Sequence, residues 1–125
     1  MNKKLILNLM ILLQFMIFSM IFSCTSIATL PEEPKIPTEL TLKNLSIYEA
    51  KLAGYALYLE TFLTRTKQKF RDQNFPTFKL LDATVLRADH TLEAIQENIK
   101  HLQHYINNTK PIAFAVYKKY SKLKK

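Results

Sequence analysis

The sequence predicts an all-α protein: an antiparallel hairpin of two long helices plus a shorter C-terminal helix, a three-helix bundle, behind a lipoprotein signal and a flexible tether. Three observations lead there. Apolar residues recur by threes and fours over most of the chain after residue 40, the mark of helices with one buried face. The chain has a single glycine in 125 residues, which argues against a turn-rich sheet. Its first 23 residues read as a targeting segment rather than as part of a fold.

That segment opens on Met1-Asn2-Lys3-Lys4, a short positive region. Leu5 to Ser23 follows, 19 residues interrupted only by Asn8, Gln14, Ser19 and Ser23. This length suits a signal-peptide core and sits at the low end of what spans a bilayer. Lys3 and Lys4 stay cytoplasmic in either case, so the remainder is exported. Setting aside Lys3 and Lys4, the net charge falls from +8 to +6. The remaining 102 residues make one domain at most.

Ile21-Phe22-Ser23-Cys24 resembles a bacterial lipobox, with an apolar residue three before the cysteine and a small one just before it. Phe22 departs from the usual small or aliphatic residue. Cys24 is the only cysteine, so it has no intramolecular partner, and lipidation gives it a role. One acyl chain holds a protein to a membrane marginally and two hold it stably; a diacylglyceryl thioether places two on one residue. The domain organisation expected is therefore a signal peptide over 1–23, a lipidated Cys24 with a proline-rich tether over 24–38, and a helical domain over 39–125. Pro31, Pro34 and Pro37 deny the tether regular hydrogen bonding and favour extended conformations.

The first helix is expected near 40–72. Leu45, Tyr48, Leu52, Tyr55, Leu59, Phe62 and Thr66 form its inner line, with Leu63 and Phe70 widening it. Its start is open between Thr38 and a capping box at Ser46. Asp72 to Thr77, with Pro76, then breaks the pattern. A second helix is expected near 77–107, on the line Phe78, Leu81, Val85, Ala88, Leu92, Ile95, Ile99, Leu102 and Ile106. Asn107 to Pro111 reads as its end, with Pro111 opening a third helix near 111–123. Ile112, Val116, Tyr120 and Leu123 are its inner positions.

Candidate sites are few. Lys118, Lys119, Lys122, Lys124 and Lys125 crowd the C-terminus beside Tyr117 and Tyr120, a combination that suits a polyanion. The bland reading is that lysines complement a helix C-terminus and the tyrosines serve the core. No arginine supplies bidentate phosphate recognition in this run, so nucleic acid is not expected. His90, Glu97, His101 and His104 fall on the outer positions of the second stripe, where solvated histidines rather than a metal site are expected. Most of the aromatic residues lie on or beside the stripes and read as core, Tyr58 being the one expected at the surface. No glycine-rich phosphate loop, nucleophile elbow or converging carboxylate–histidine set is present, so neither catalytic residues nor cofactors are expected.

The Asn-Lys-Lys start, the Phe/Ile/Leu/Met-rich leader ending in Ser23-Cys24, the proline-bearing tether and the Lys/Asn/Ile-rich helical body resemble the small plasmid-encoded surface lipoproteins of Borrelia-type spirochaetes, of the kind called OrfD. The resemblance spans the chain and is architectural. It implies display on the outer membrane and contact with a host protein or glycan, and carries no binding residue over. The residues alone leave a second class open, a structural lipoprotein whose long helices pair with a periplasmic partner or as a homodimer.

Overall fold

The computed structural model describes residues 29–124. Two long helices dominate, α1 over Leu42–Phe70 and α2 over Leu92–Ser121. Short 3-10 turns lie at Ala83–Val85 and Lys122–Lys124, and no strand occurs among the described residues.

The apolar line read for the first helix is the buried face of α1, from Leu45 through Thr66. Thr41, rather than Thr38 or Ser46, caps it: the side chain accepts the Asn44 N–H at 3.2 Å from an extended backbone. Arg71 closes it in the left-handed region, φ 45°, its N–H donating to the Lys67 carbonyl.

The helices are parallel, not antiparallel. Glu49 meets Asn98, Tyr48 meets Gln103, Phe62 faces Tyr117 and Phe70 lies against Tyr120, so partners rise together along both chains. The segment 71–91 must therefore run back along the pair. At about 1.5 Å per residue the 30 residues of α2 span ~45 Å, and the 21 residues of the connector cover that return with room to spare.

This is why the second helix does not start at 77. Asp82 accepts both the backbone N–H and the hydroxyl of Thr84, at 2.9 and 2.6 Å, and this local bond competes with a helix. His90 takes φ 51° and Thr91 is extended, its side chain capping Ala94 at 3.2 Å. Val85 and Ala88, expected inside, are exposed, whereas Phe75, Phe78, Leu81 and Leu86 tuck their side chains toward the helices from an extended backbone.

The third helix is likewise absent as a separate element. α2 continues through Pro111 to Ser121 because its buried line does not stop at Ile106: Thr109, Ala113, Val116 and Tyr120 extend it at the same three-four spacing. Pro111 leaves the Asn107 carbonyl without its helical donor, and exposure of both residues lets water supply one. Leu123, expected inside, is exposed.

Two helices alone leave both edges of their seam open. The connector covers one edge. The other is covered by residues 29–37, expected as part of a free tether. The Tyr58 hydroxyl donates to the Thr29 carbonyl at 3.1 Å, Leu30 packs on the core, and Glu33 pairs with Lys110 at 2.6 Å. These residues form a strap running antiparallel to α1, from the level of Tyr58 to the bend at Glu39, whose carbonyl accepts from Asn44. Tyr58, expected at the surface, lies half-buried beneath its start. Leu52, Leu59, Leu63, Leu102 and Ile106 are fully enclosed in the seam, each contributing about 1.5–3 kcal/mol.

Candidate functional site: the basic end and the connector groove

The lipobox residues Ile21, Phe22 and Ser23, with Cys24, lie outside the described residues, as does Lys125. Lys118 and Lys119 occupy the last turn of α2 and Lys122 begins the 3-10 turn that Lys124 ends.

The cluster divides. The Lys119 ammonium is 2.9 Å from a carboxylate oxygen of Asp72, and the same oxygen accepts the Tyr120 hydroxyl at 2.6 Å. The other Asp72 oxygen accepts the Asn74 N–H at 2.8 Å. These three donors, Tyr120 foremost, hold the Asp72 carboxyl well below the usual range. Asp72 in turn raises both Lys119 and Tyr120. Phe70 and Phe75 pack on the ring of Tyr120, so this network ties the start of the connector to the end of α2. Lys118 and Lys122 are exposed and make no ion pair among the described residues. Parallel packing adds what the sequence reading did not assemble: Lys67, Lys69 and Arg71 from the end of α1 lie at the same end of the molecule.

The connector is held by a second network. Asn98, buried in α2, accepts the Arg87 N–H at 2.8 Å and donates to the Arg87 carbonyl at 2.8 Å and to Glu49 of α1 at 2.6 Å. The Arg87 guanidinium forks to Asp89 and reaches Glu97 at 2.8 Å; these carboxylates raise its already high pKa. Nearer the middle, Glu60 of α1 accepts the Leu81 N–H at 2.6 Å, and the Tyr105 hydroxyl donates to the Lys79 carbonyl at 3.3 Å. Burial pushes the Tyr105 phenol up.

Between the connector and α2 these contacts leave an open groove of about 550 Å³. Phe78, Leu80, Leu81, Val85 and Ile112 supply apolar walls, and His101, His104, Tyr105 and Asn108 a polar edge. His101 and His104 are exposed as expected, yet they border this groove rather than open solvent alone. Among the described residues no three histidine, cysteine or carboxylate groups are placed to hold a metal ion. Asp72, Arg87 and Asn98 had no signal in periodicity. Asp72-Gln73-Asn74 lies in the break expected from Asp72 to Thr77, whereas the cap at Asp89-His90-Thr91 falls inside the segment expected as the second helix.

On the strap side, the Glu33 carboxylate raises the Lys110 pKa. Beneath them the Tyr55 hydroxyl is buried without a hydrogen-bond partner among the described residues, and burial pushes its pKa up as well.

Fold and surface thus define a small all-helical body with a polarised basic end, a flanking groove and a strapped N-terminal segment. The chain belongs to the Borrelia orf-D family, which matches residues 29–122. It is similar to the outer membrane lipoprotein BBA14 of Borreliella burgdorferi, 55% identical over 102 residues, which are 82% of this chain and 84% of that protein. The chain is an outer-membrane lipoprotein of this family. The family match begins at Thr29, so the strap belongs to the shared domain.

Proposed function

We propose that the protein is a non-enzymatic host-interaction module, displayed at the cell surface and held there by a diacylglyceryl group on Cys24 after cleavage behind Ser23. The observation that carries the reading is the groove between residues 77–85 and α2, which keeps Leu80 and Val85 exposed beside a polar edge on the side of the seam away from the strap. A concave, largely apolar surface with a few convergent polar groups is the usual form of a recognition site. Its place on the edge of the seam opposite the strap favours an extracellular protein or glycan as ligand.

Radiolabelled palmitate should enter the wild type and not Cys24→Ser, and protease added to intact cells should remove the body. Equal labelling of the two would refute the anchor. Full protection from protease would refute surface display.

A structural role through self-pairing is the second reading. Ile47 and Leu57 are exposed on α1, about three helical turns apart, with Gly54 between them and, among the described residues, nothing beyond its chain neighbours and the local helix backbone within 4 Å of where a Cβ would stand. A body that stays monomeric in concentrated solution by sedimentation removes this reading.

A further inference from the structure

We infer that the basic end formed by the C-termini of both helices is a docking surface for anionic lipid headgroups, so that the body stands on the membrane on this end. The orientation rests on the proposed lipid at Cys24 and deepens that reading.

The first argument is reach. Thr29 is fixed beside Tyr58, near the middle of α1. Cys24 lies five positions earlier, so at no more than ~3.6 Å per residue it stays within ~18 Å of Thr29. From Tyr58 to the end of α1 at Phe70 is twelve residues, ~18 Å of helix, whereas back to Leu42 is sixteen residues, ~24 Å. An anchor on Cys24 can therefore reach a bilayer surface at the C-terminal ends of the helices but not one at the N-terminal ends. A tether free from residue 24 to 38 would impose no such choice; the strap does.

The second argument is charge. Lys67, Lys69, Arg71, Lys118 and Lys122 are all exposed at this end, and Asp72, the carboxylate there among the described residues, is taken up by Lys119 and Tyr120. The opposite end carries Glu39, Asp89, Glu93 and Glu97, against Arg87, which pairs with the last three, and an exposed Lys43 in the first turn of α1. Complementing the helix dipoles does not account for the excess. Two parallel helices place about half a negative charge each at their C-termini, about one in all, against five exposed cations. Basic residues held within a Debye length of an anionic bilayer are attracted to it, and an exposed apolar side chain beside them enters the headgroup region. Leu123, 61% exposed next to Lys122, is placed to do so.

The test uses the full chain, lipidated in a processing host and reconstituted into vesicles of phosphatidylcholine alone or with 30 mol% phosphatidylglycerol. A nitroxide is attached at Ser121→Cys on the basic end or at Ser46→Cys near the opposite end. Its accessibility to a nickel chelate carried on lipid headgroups is then measured. Accessibility at 121 should exceed that at 46 at least threefold in the anionic vesicles, and should fall toward the phosphatidylcholine value in 0.5 M NaCl. It should fall in the same way when Lys67, Lys69, Lys118 and Lys122 are changed to Gln; these residues are exposed, and circular dichroism checks that the fold survives. Equal accessibility at the two positions, or no dependence on phosphatidylglycerol, overturns the docking surface while palmitate found by mass on the same sample upholds the anchor. Absence of palmitate overturns both, since the reach argument goes with it. Heparin binding that survives 0.5 M NaCl, with no approach of position 121 to anionic vesicles, overturns the lipid assignment in favour of a glycan.

Discussion

The two extended segments that flank the helix pair solve the same problem with different strength. The connector covers one edge of the seam and is bonded to both helices along its length, through Asp72, Leu81, Arg87 and the buried amide of Asn98. Among the described residues the strap covers the other edge with one hydroxyl bond at Thr29 and one ion pair at Glu33, above a tyrosine whose hydroxyl has no partner there. Each bond to a partly buried group adds stability, so the connector edge, with more of them, is held more strongly than the strap edge. The strap thus acts as a positioning device in the proposed orientation, set by a few contacts close to the segment that leads to Cys24. The connector, by contrast, is part of what makes the two parallel helices one cooperative unit.

Asn98→Ala should have the largest effect. It strands the Arg87 N–H and carbonyl and one Glu49 oxygen at a site only 2% exposed, and should lower stability by about 2–3 kcal/mol in urea unfolding followed by circular dichroism. A loss under ~0.5 kcal/mol would show that water serves these groups equally well and that the connector is no more permanent than the strap. Pro111→Ala comes next, with the opposite sign. A proline inside a helix costs about 3 kcal/mol relative to alanine, and relaxing the unfolded chain returns about 1, so a net gain of about 2 kcal/mol is expected at this exposed position. The substitution lies beside Lys110, where the strap crosses α2, and leaves the Asn98 network untouched; a destabilising result would show that the strap depends on the missing bond.

Much of the helical content was legible in the residues, and its arrangement was not. The line from Leu45 to Thr66 is the buried face of α1, and Ile95 to Ile106 is that of α2. A stripe states which face of a helix is buried but not the direction of its neighbour, and antiparallel packing follows only if 72–77 is a short turn between two helices. That turn followed from reading Phe78, Leu81, Val85 and Ala88 as a helix, although Asp82 and Thr84 bond each other within the segment. Pro111 misled for the reverse reason. Thr109 and Ala113 are small or polar, and register as core only when the whole line to Tyr120 is followed. The lysine run at the C-terminus was visible as a cluster; that Lys67, Lys69 and Arg71 join it depends on parallel packing, which no local pattern encodes.

The smallest expected effect falls on the strap. Glu33→Gln removes the charge that pairs with Lys110, and because both side chains keep about a third of their surface in water, the pair contributes less than ~1 kcal/mol to global stability. Its local effect should be larger. Lys35 is exposed two residues beyond Glu33, within a segment that has no backbone ladder of its own, and its cleavage by trypsin requires the strap to lift from the helices. The substitution should speed cleavage after Lys35 several-fold while leaving the rate at Arg87, held by the Asn98 network, unchanged. Loss of global stability equal to that of Asn98→Ala would instead place the strap in the cooperative core. The orientation of the body on its anchor would then be fixed by the fold as a whole rather than by a few contacts at one edge.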